Sequence, residues 1–189
     1  WGVDISDASL AQARAFCRAH DLDIHLRLGD MRSLPFEGET FDYVYEHYSM
    51  CHLDKSDTTV AIAEMRRVLK PGRLCFLGVI STDTWPTTLL GEERKPGEFI
   101  MDEDGKTTRH TLFNDDEADG LVAGWDVVSR QKHTNYLLRA AQEMSPQTWA
   151  GLYEETEGAV SRDAWTARYD RRTAYVRYVH LYYILQKRS

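Results

Sequence analysis

The 189-residue sequence holds only three cysteines, Cys17, Cys51 and Cys75, an odd number without paired spacing. This argues against a disulfide scaffold and suits reduced, buried thiols in a cytoplasmic protein. No apolar run approaches the ~18 residues of a membrane span, and no signal peptide is legible. Positive charge is scarce: 23 Lys and Arg stand against 30 Asp and Glu, for a net charge of −7. A general nucleic-acid binder needs a basic face, and so does a protein that adheres to anionic membranes. Neither role is expected, although a local basic pocket is compatible with the total. There are no repeats, linkers or low-complexity tracts, so residues 1–189 read as a single domain. Histidines and cysteines lack metal-ligand spacing, and no Ser-His-acid arrangement is readable.

The opening stretch, WGVDIS, points to another absence. Trp1 to Ile5 reads as a short buried strand with an acid, Asp4, near its end. Nucleotide-binding α/β folds use such an acid to hold a ribose, roughly 20 residues after a glycine-rich loop. Only Trp1, Gly2 and Val3 precede Asp4, with no glycine-rich loop and no starting Met. The natural N-terminus is therefore expected to lie upstream.

What is present alternates between strand and helix. Ser6 is an N-cap, and the helix over about 7–20 sets Leu10, Ala13 and Cys17 on one face. DIHLRLGD alternates, with Ile24, Leu26 and Leu28 pointing one way. SLPFEGET is a turn, FDYVYEHY a strand, and SDTTVAIAEMRRVL a helix striped by Ala61, Met65, Val68 and Leu69. KPG ends it, and RLCFLGVIS is a continuous apolar run, as a strand buried on both faces should be. This order implies parallel strands joined by crossover helices. Residues 82–110 read as loop-like. NDDEADGLVAG is a short helix capped by Asn114 with Glu117 three residues on. WDVVSRQKHTNYLL and YVHLYYIL read as strands, SPQTWAGLYEE and SRDAWTARYDRR as helices.

Three stretches, GVDISDASLAQARAF, LGDMRSLPFEGETFDYVY and EMRRVLKPGRLCFLGV, follow one another at a telling spacing. Together they resemble a class I S-adenosylmethionine-dependent methyltransferase of the small-molecule type. The likeness covers roughly residues 2–80 and, more loosely, 110–135. It implies a Rossmann-like, doubly wound α/β fold, with a mostly parallel seven-stranded sheet and an antiparallel last strand. The family's first strand and glycine-rich motif are absent from this chain. Arg73 stands where the family usually has a second glycine after KPG.

The resemblance also implies roles for particular residues. Asp4, with Ile5 beside it, would bind the cofactor S-adenosylmethionine, the carboxylate accepting from both ribose hydroxyls. The plainer reading of Asp4 is a charge favouring the helix N-terminus. Asp30 would accept from the adenine amino group and Met31 would pack on the adenine face. EHYSMCHL follows the fourth family strand, nearest the transferred methyl. Glu46 would contact the cofactor or attract a cationic substrate, and Tyr48 would face the substrate. Methyl transfer is an in-line displacement, so the protein chiefly aligns the nucleophile and excludes water. A base is needed only for a protonated nucleophile, and His47 is the catalytic candidate because imidazole titrates near neutrality. His52 would cap the next helix. Residues 82–110 and 136–173 are candidate substrate-covering segments; His110 would face the site or sit in a surface hairpin. Trp149, Tyr153, Trp165 and Tyr169 fall near helical spacing and read as sheet-packing residues before they read as a cage for methylammonium. Arg168, Arg171 and Arg172 read as a solvated face rather than an anion site.

The implied reaction is methyl transfer to an O, N or S atom of a small molecule, with no metal. Two alternatives remain. An NAD-dependent oxidoreductase would use Asp4 similarly but has no role for RVLKPG or LPF…FD. A non-catalytic nucleotide-binding or interaction module would need neither substrate nor base. The resemblance further implies at least ~40 residues before Trp1, supplying a central strand and a glycine-rich turn. The strands at 1–5 and 41–46 should then stand ~9–10 Å apart rather than pair at ~4.8 Å.

Overall fold

The computed structural model describes residues 1–137, apart from 86 and 104, and residues 176–188. Strand β1 (Gly2–Asp4), helix α1 (Asp7–Ala19) and strand β2 (Leu26–Leu28) form the first unit. The Ser6 hydroxyl accepts from the Ser9 N–H, and Leu10 and Cys17 are the buried residues of α1. β1 and β2 run parallel, Gly2 opposite Leu26 and Asp4 opposite Leu28, as strands joined by a helical crossover must.

β3 (Phe41–His47), α2 (Lys55–Val68) and β4 (Leu69–Ser81) repeat that arrangement, and β3 pairs with β4 in parallel up to His47 opposite Gly78. The cap of α2 is Asp54, whose carboxylate accepts from the Asp57 N–H; His52 instead hydrogen-bonds the Arg109 carbonyl through Nδ1. Ala61, Ile62, Met65 and Val68 of α2 are buried, with the first three packed on Cys75, Leu77 and Val79 of β4.

The segment after β4 is more regular than its sequence suggests. It forms an antiparallel meander, β5 (Glu92–Lys95), β6 (Glu98–Glu103) and β7 (Lys106–Phe113). Gly97 and Gly105 turn the chain with φ of +75° and +78°, a region that costs glycine nothing. A Cβ on Gly97 would lie 2.5 Å from the Leu112 carbonyl oxygen. β7 pairs with Ile80 and Ser81 of β4, just past the last residue of β3. The meander therefore stands over the carboxyl end of β3. Hydrogen bonds fasten it there: Thr111 Oγ1 donates to the Leu53 carbonyl, Glu98 accepts from the Lys55 N–H, and His52 bonds the Arg109 carbonyl of β7.

α3 (Asp115–Leu121) carries the capping box read from NDDEADG, with Asn114 and Glu117 each bonding the other's backbone N–H. Asn114→Ala removes one half of it and is expected to cost about 1 kcal/mol, measurable as a lower urea midpoint at unchanged m. β8 (Asp126–Leu137) and β9 (Val176–Gln186) pair antiparallel, and β9 pairs antiparallel with β4. Leu181, Tyr183 and Leu185 of β9 join α2, α3 and β4 in the main core.

Strands β3 to β9 make one mixed sheet, and β1–β2 make a second. The mixture arises because the meander and the last hairpin add antiparallel pairs to the parallel β3–β4 and β4–β7 pairs. No ladder joins β1 to β3 among the described residues. β4 departs from the expectation of burial on both faces. Cys75, Leu77 and Val79 are sealed under α2 and α3, while Phe76 and Ile80 on the other face are half-buried. The expected helices at SPQTWAGLYEE and SRDAWTARYDRR, with Trp149, Tyr153, Trp165, Tyr169, Arg168, Arg171 and Arg172, lie outside the described residues.

Candidate functional site

A cavity of about 490 Å³ lies between β1 and β3, within the usual size range for small-molecule sites. Gly2 and Val3 line one side, Val44, Glu46 and His47 the other, with Met31 and Ser49 also on its wall. Parallel strands bring their carboxyl ends to the same side of a sheet, which is where α/β folds bind ligands.

Glu46 is the most unusual group on this wall. It is only 8% exposed. Oε1 accepts from the Ser49 N–H at 2.7 Å and the Met50 N–H at 2.9 Å, which closes the turn after β3. Oε2 is buried and has no hydrogen-bond partner among the described residues. Burial raises the carboxyl above its ordinary range, and the backbone N–H groups of Met50, Ser49 and Gly78 offset part of that rise. A buried carboxylate oxygen without a donor is costly unless a ligand supplies one.

Of the other residues singled out from sequence, Met31 and His47 line the cavity, whereas Asp4, Ile5, Asp30, Tyr48 and His110 are not on its wall. Asp4 ends β1, and its Oδ1 accepts from the Ser6 N–H at 2.8 Å, so one oxygen already serves the start of α1. Ile5 is 70% exposed and does not line the cavity. Asp30 is held by Arg32, which contacts both carboxylate oxygens and also reaches Asp57 at 2.7 Å. The Arg32 guanidinium holds the Asp30 carboxyl below its usual range. A carboxylate offers about four acceptor positions, and Arg32 makes four hydrogen bonds to Asp30, through its backbone N–H, Nε to both oxygens, and Nη2. Met31 lines the cavity and packs against the main core.

His47 lines the cavity and is exposed. Its ring lies 3.6 Å from that of Tyr48, centroid to centroid. Tyr48 has a φ of +69°, an uncommon conformation for a bulky side chain and one that concentrates at functional sites. The turn that holds it is fixed by Glu46 and by Cys51 Sγ, which donates to the Tyr48 carbonyl. The Tyr48 and Tyr182 hydroxyls are hydrogen-bonded to each other. His110 lies on β7, edge-on to His52 at 5.5 Å and outside the cavity lined by Glu46. Reading along the chain missed Tyr182 and His180, whose rings lie beside Tyr48 from β9, and His133 of β8, whose ring lies beside Tyr182. Their signal was period-two alternation in YVHLYYIL, which sets His180 and Tyr182 on one face.

All three cysteines are free and buried. Burial pushes the Cys51 and Cys75 thiols up to about 12, so neither offers a thiolate nucleophile. No cluster of metal-ligating side chains occurs among the described residues. None of their helices is long and apolar enough to cross a membrane.

This fold is that of class I methyltransferases. A solved S-adenosylmethionine-dependent methyltransferase from Methanosarcina mazei superposes with a TM-score of 0.65 at 16% identity, over 99% of this chain and 81% of that one. Residues 1–72 match the methyltransferase domain family. A demethylmenaquinone methyltransferase of Staphylococcus haemolyticus is 38% identical over 85 residues, covering 45% of this chain and 34% of that protein. An uncharacterized methyltransferase of Schizosaccharomyces pombe is 27% identical over 160 residues, covering 85% of this chain and 53% of its own length. The chain thus spans between about a third and about half of these two curated relatives. These similarities bear out the resemblance to S-adenosylmethionine-dependent methyltransferases.

Proposed function

We propose that the intact protein transfers a methyl group from S-adenosylmethionine to an O, N or S atom of a small molecule. The observation that carries this reading is the buried, unpartnered Oε2 of Glu46 on the wall of a ligand-sized cavity. It suits the ammonium of an amino-acid moiety. Asp4 and Ile5 at the end of β1 would meet the ribose, Asp30 the adenine edge and Met31 the adenine face. The bound cofactor supplies an electrophilic methyl on a sulfonium; the protein holds it, aligns the acceptor and keeps water away. His47 and Tyr48 stand on the acceptor side, and His47 is the candidate to take a proton where the nucleophile carries one. His110 and the β5–β7 meander would cover the acceptor. The three free cysteines support a cytoplasmic setting.

Calorimetry of the intact protein with S-adenosylhomocysteine and with NAD tests this reading. Binding of the first alone is the expected result. NAD binding would make it an oxidoreductase, and binding of neither a non-catalytic module. Asp4→Ala is expected to weaken S-adenosylhomocysteine by about 1–3 kcal/mol, the scale of a hydrogen bond to a charged group. Unchanged affinity would remove Asp4 from the ribose.

A further inference from the structure

On the face of the sheet opposite α2, five polar rings meet, and one of them, His47, also lines the cavity. His47 and Tyr48 come from the end of β3, Tyr182 and His180 from β9, and His133 from β8. Their gathering follows from register. Gly78 of β4 stands between His47 and Tyr182, and His180 is directly opposite His133. A Cβ on Gly78 would lie 3.3 Å from the Tyr182 ring and 3.4 Å from the His47 ring, so glycine lets both rings lie across β4. The His47 and Tyr182 rings are near-parallel at 5.9 Å, and those of Tyr48 and His180 lie 4.6 Å apart.

The chemistry of this wall is specific. The five side chains are aromatic and carry no carboxylate, ammonium or guanidinium. Its flat surfaces suit a planar ring, which stacks on aromatic faces. In the Tyr48–Tyr182 pair, one hydroxyl donates and the other accepts, which leaves one O–H free to donate again. An imidazole without its second proton adds an acceptor nitrogen. His180 Nδ1 is buried without a hydrogen-bond partner among the described residues. Burial, with the neighbouring His47 and His133, holds this imidazole below its ordinary titration range, so it is neutral at pH 7. A hydroxyl on a planar ring meets both demands with one atom, accepting from a tyrosine and donating to an imidazole.

We infer that the ring cluster of His47, Tyr48, His133, His180 and Tyr182 is a binding subsite for a planar, hydroxyl-bearing ring, the phenol class of methyl acceptor. The assignment to an acceptor rests on the methyl-transfer reading; the assignment of ligand chemistry rests on the wall itself.

The test is calorimetry on the intact protein without cofactor, using 1-naphthol and naphthalene as probes. 1-Naphthol should bind at least about tenfold more tightly than naphthalene, the scale of one hydrogen bond. Tyr182→Phe, which keeps the ring, should remove about that tenfold for 1-naphthol and leave naphthalene unchanged. His180→Gln should remove any fall in 1-naphthol affinity seen as pH drops below about 6.5, the ordinary imidazole value. Equal binding of the two probes, or an unchanged 1-naphthol affinity in Tyr182→Phe, overturns the subsite. S-Adenosylhomocysteine binding is measured in parallel. If it binds and 1-naphthol does not, the subsite falls and the methyl-transfer reading stands. If only 1-naphthol binds, the cofactor reading falls and the subsite stands.

Discussion

Glu46→Gln in the intact protein is expected to weaken S-adenosylhomocysteine by about 3 kcal/mol, more than a hundredfold, because it removes one charge of a buried pair. The amide keeps an oxygen for the Ser49 and Met50 N–H groups, so the turn after β3 survives. Stability should move the other way. The folded protein holds the Glu46 carboxyl above its ordinary value, chiefly through burial. A raised carboxyl means that the folded state binds more protons than the unfolded state as pH rises past the ordinary value. Stability from this group is therefore fully present in acid and lost as pH rises through the folded-state value. Glutamine has no such loss, so the variant should gain in Tm relative to the parent as pH rises above the ordinary carboxyl value. Binding has its own pH signature. Protonation of Glu46 removes the attraction for an ammonium, so parental affinity should fall in acid and that of the variant should not. A variant that binds S-adenosylhomocysteine as well as the parent would take Glu46 out of the cofactor site.

Leu181→Ala should cost about 2–5 kcal/mol of unfolding free energy, a large share of what a domain possesses. Leu181 is 0% exposed, on the β9 strand that lies between β4 and β8. It packs in the same cluster as Ala61, Met65, Leu77 and Val122. Truncation leaves a void that two flanking ladders prevent from closing. The readout is a urea midpoint that shifts strongly at unchanged m. Ile184, on the same strand but 38% exposed, provides the contrast. Ile184→Ala should cost well under half as much, since little of its surface leaves water.

Much of the architecture was legible because it is local. Ser6 and Asn114 cap their helices through bonds that span only three residues. The stripe of Ala61, Met65 and Val68 identifies the buried face of α2 from period alone. The spacing of Asp4, Asp30 and the stretch after β3 sufficed to resemble a known family, since those motifs sit on consecutive elements. The meander over residues 82–113 was less legible. β5 is a short run of charged residues, and its strand character comes from pairing with β6 rather than from propensity.

By itself, then, the sequence determined the order of strands and helices, their capped ends, and the acids at the ends of β1 and β2. Those properties depend on neighbours within a few turns. Tertiary structure decided the rest. It buried Glu46 and left one oxygen without a donor, bridged Asp30 to Asp57 through Arg32, and set His52 on the Arg109 carbonyl instead of α2. It also carried His180 and Tyr182 across more than a hundred residues to His47 and Tyr48. Periodicity shows which face a side chain takes, but only sheet register decides which distant side chain shares that face. Here the register of β3, β4, β9 and β8, with a glycine at position 78, makes that choice.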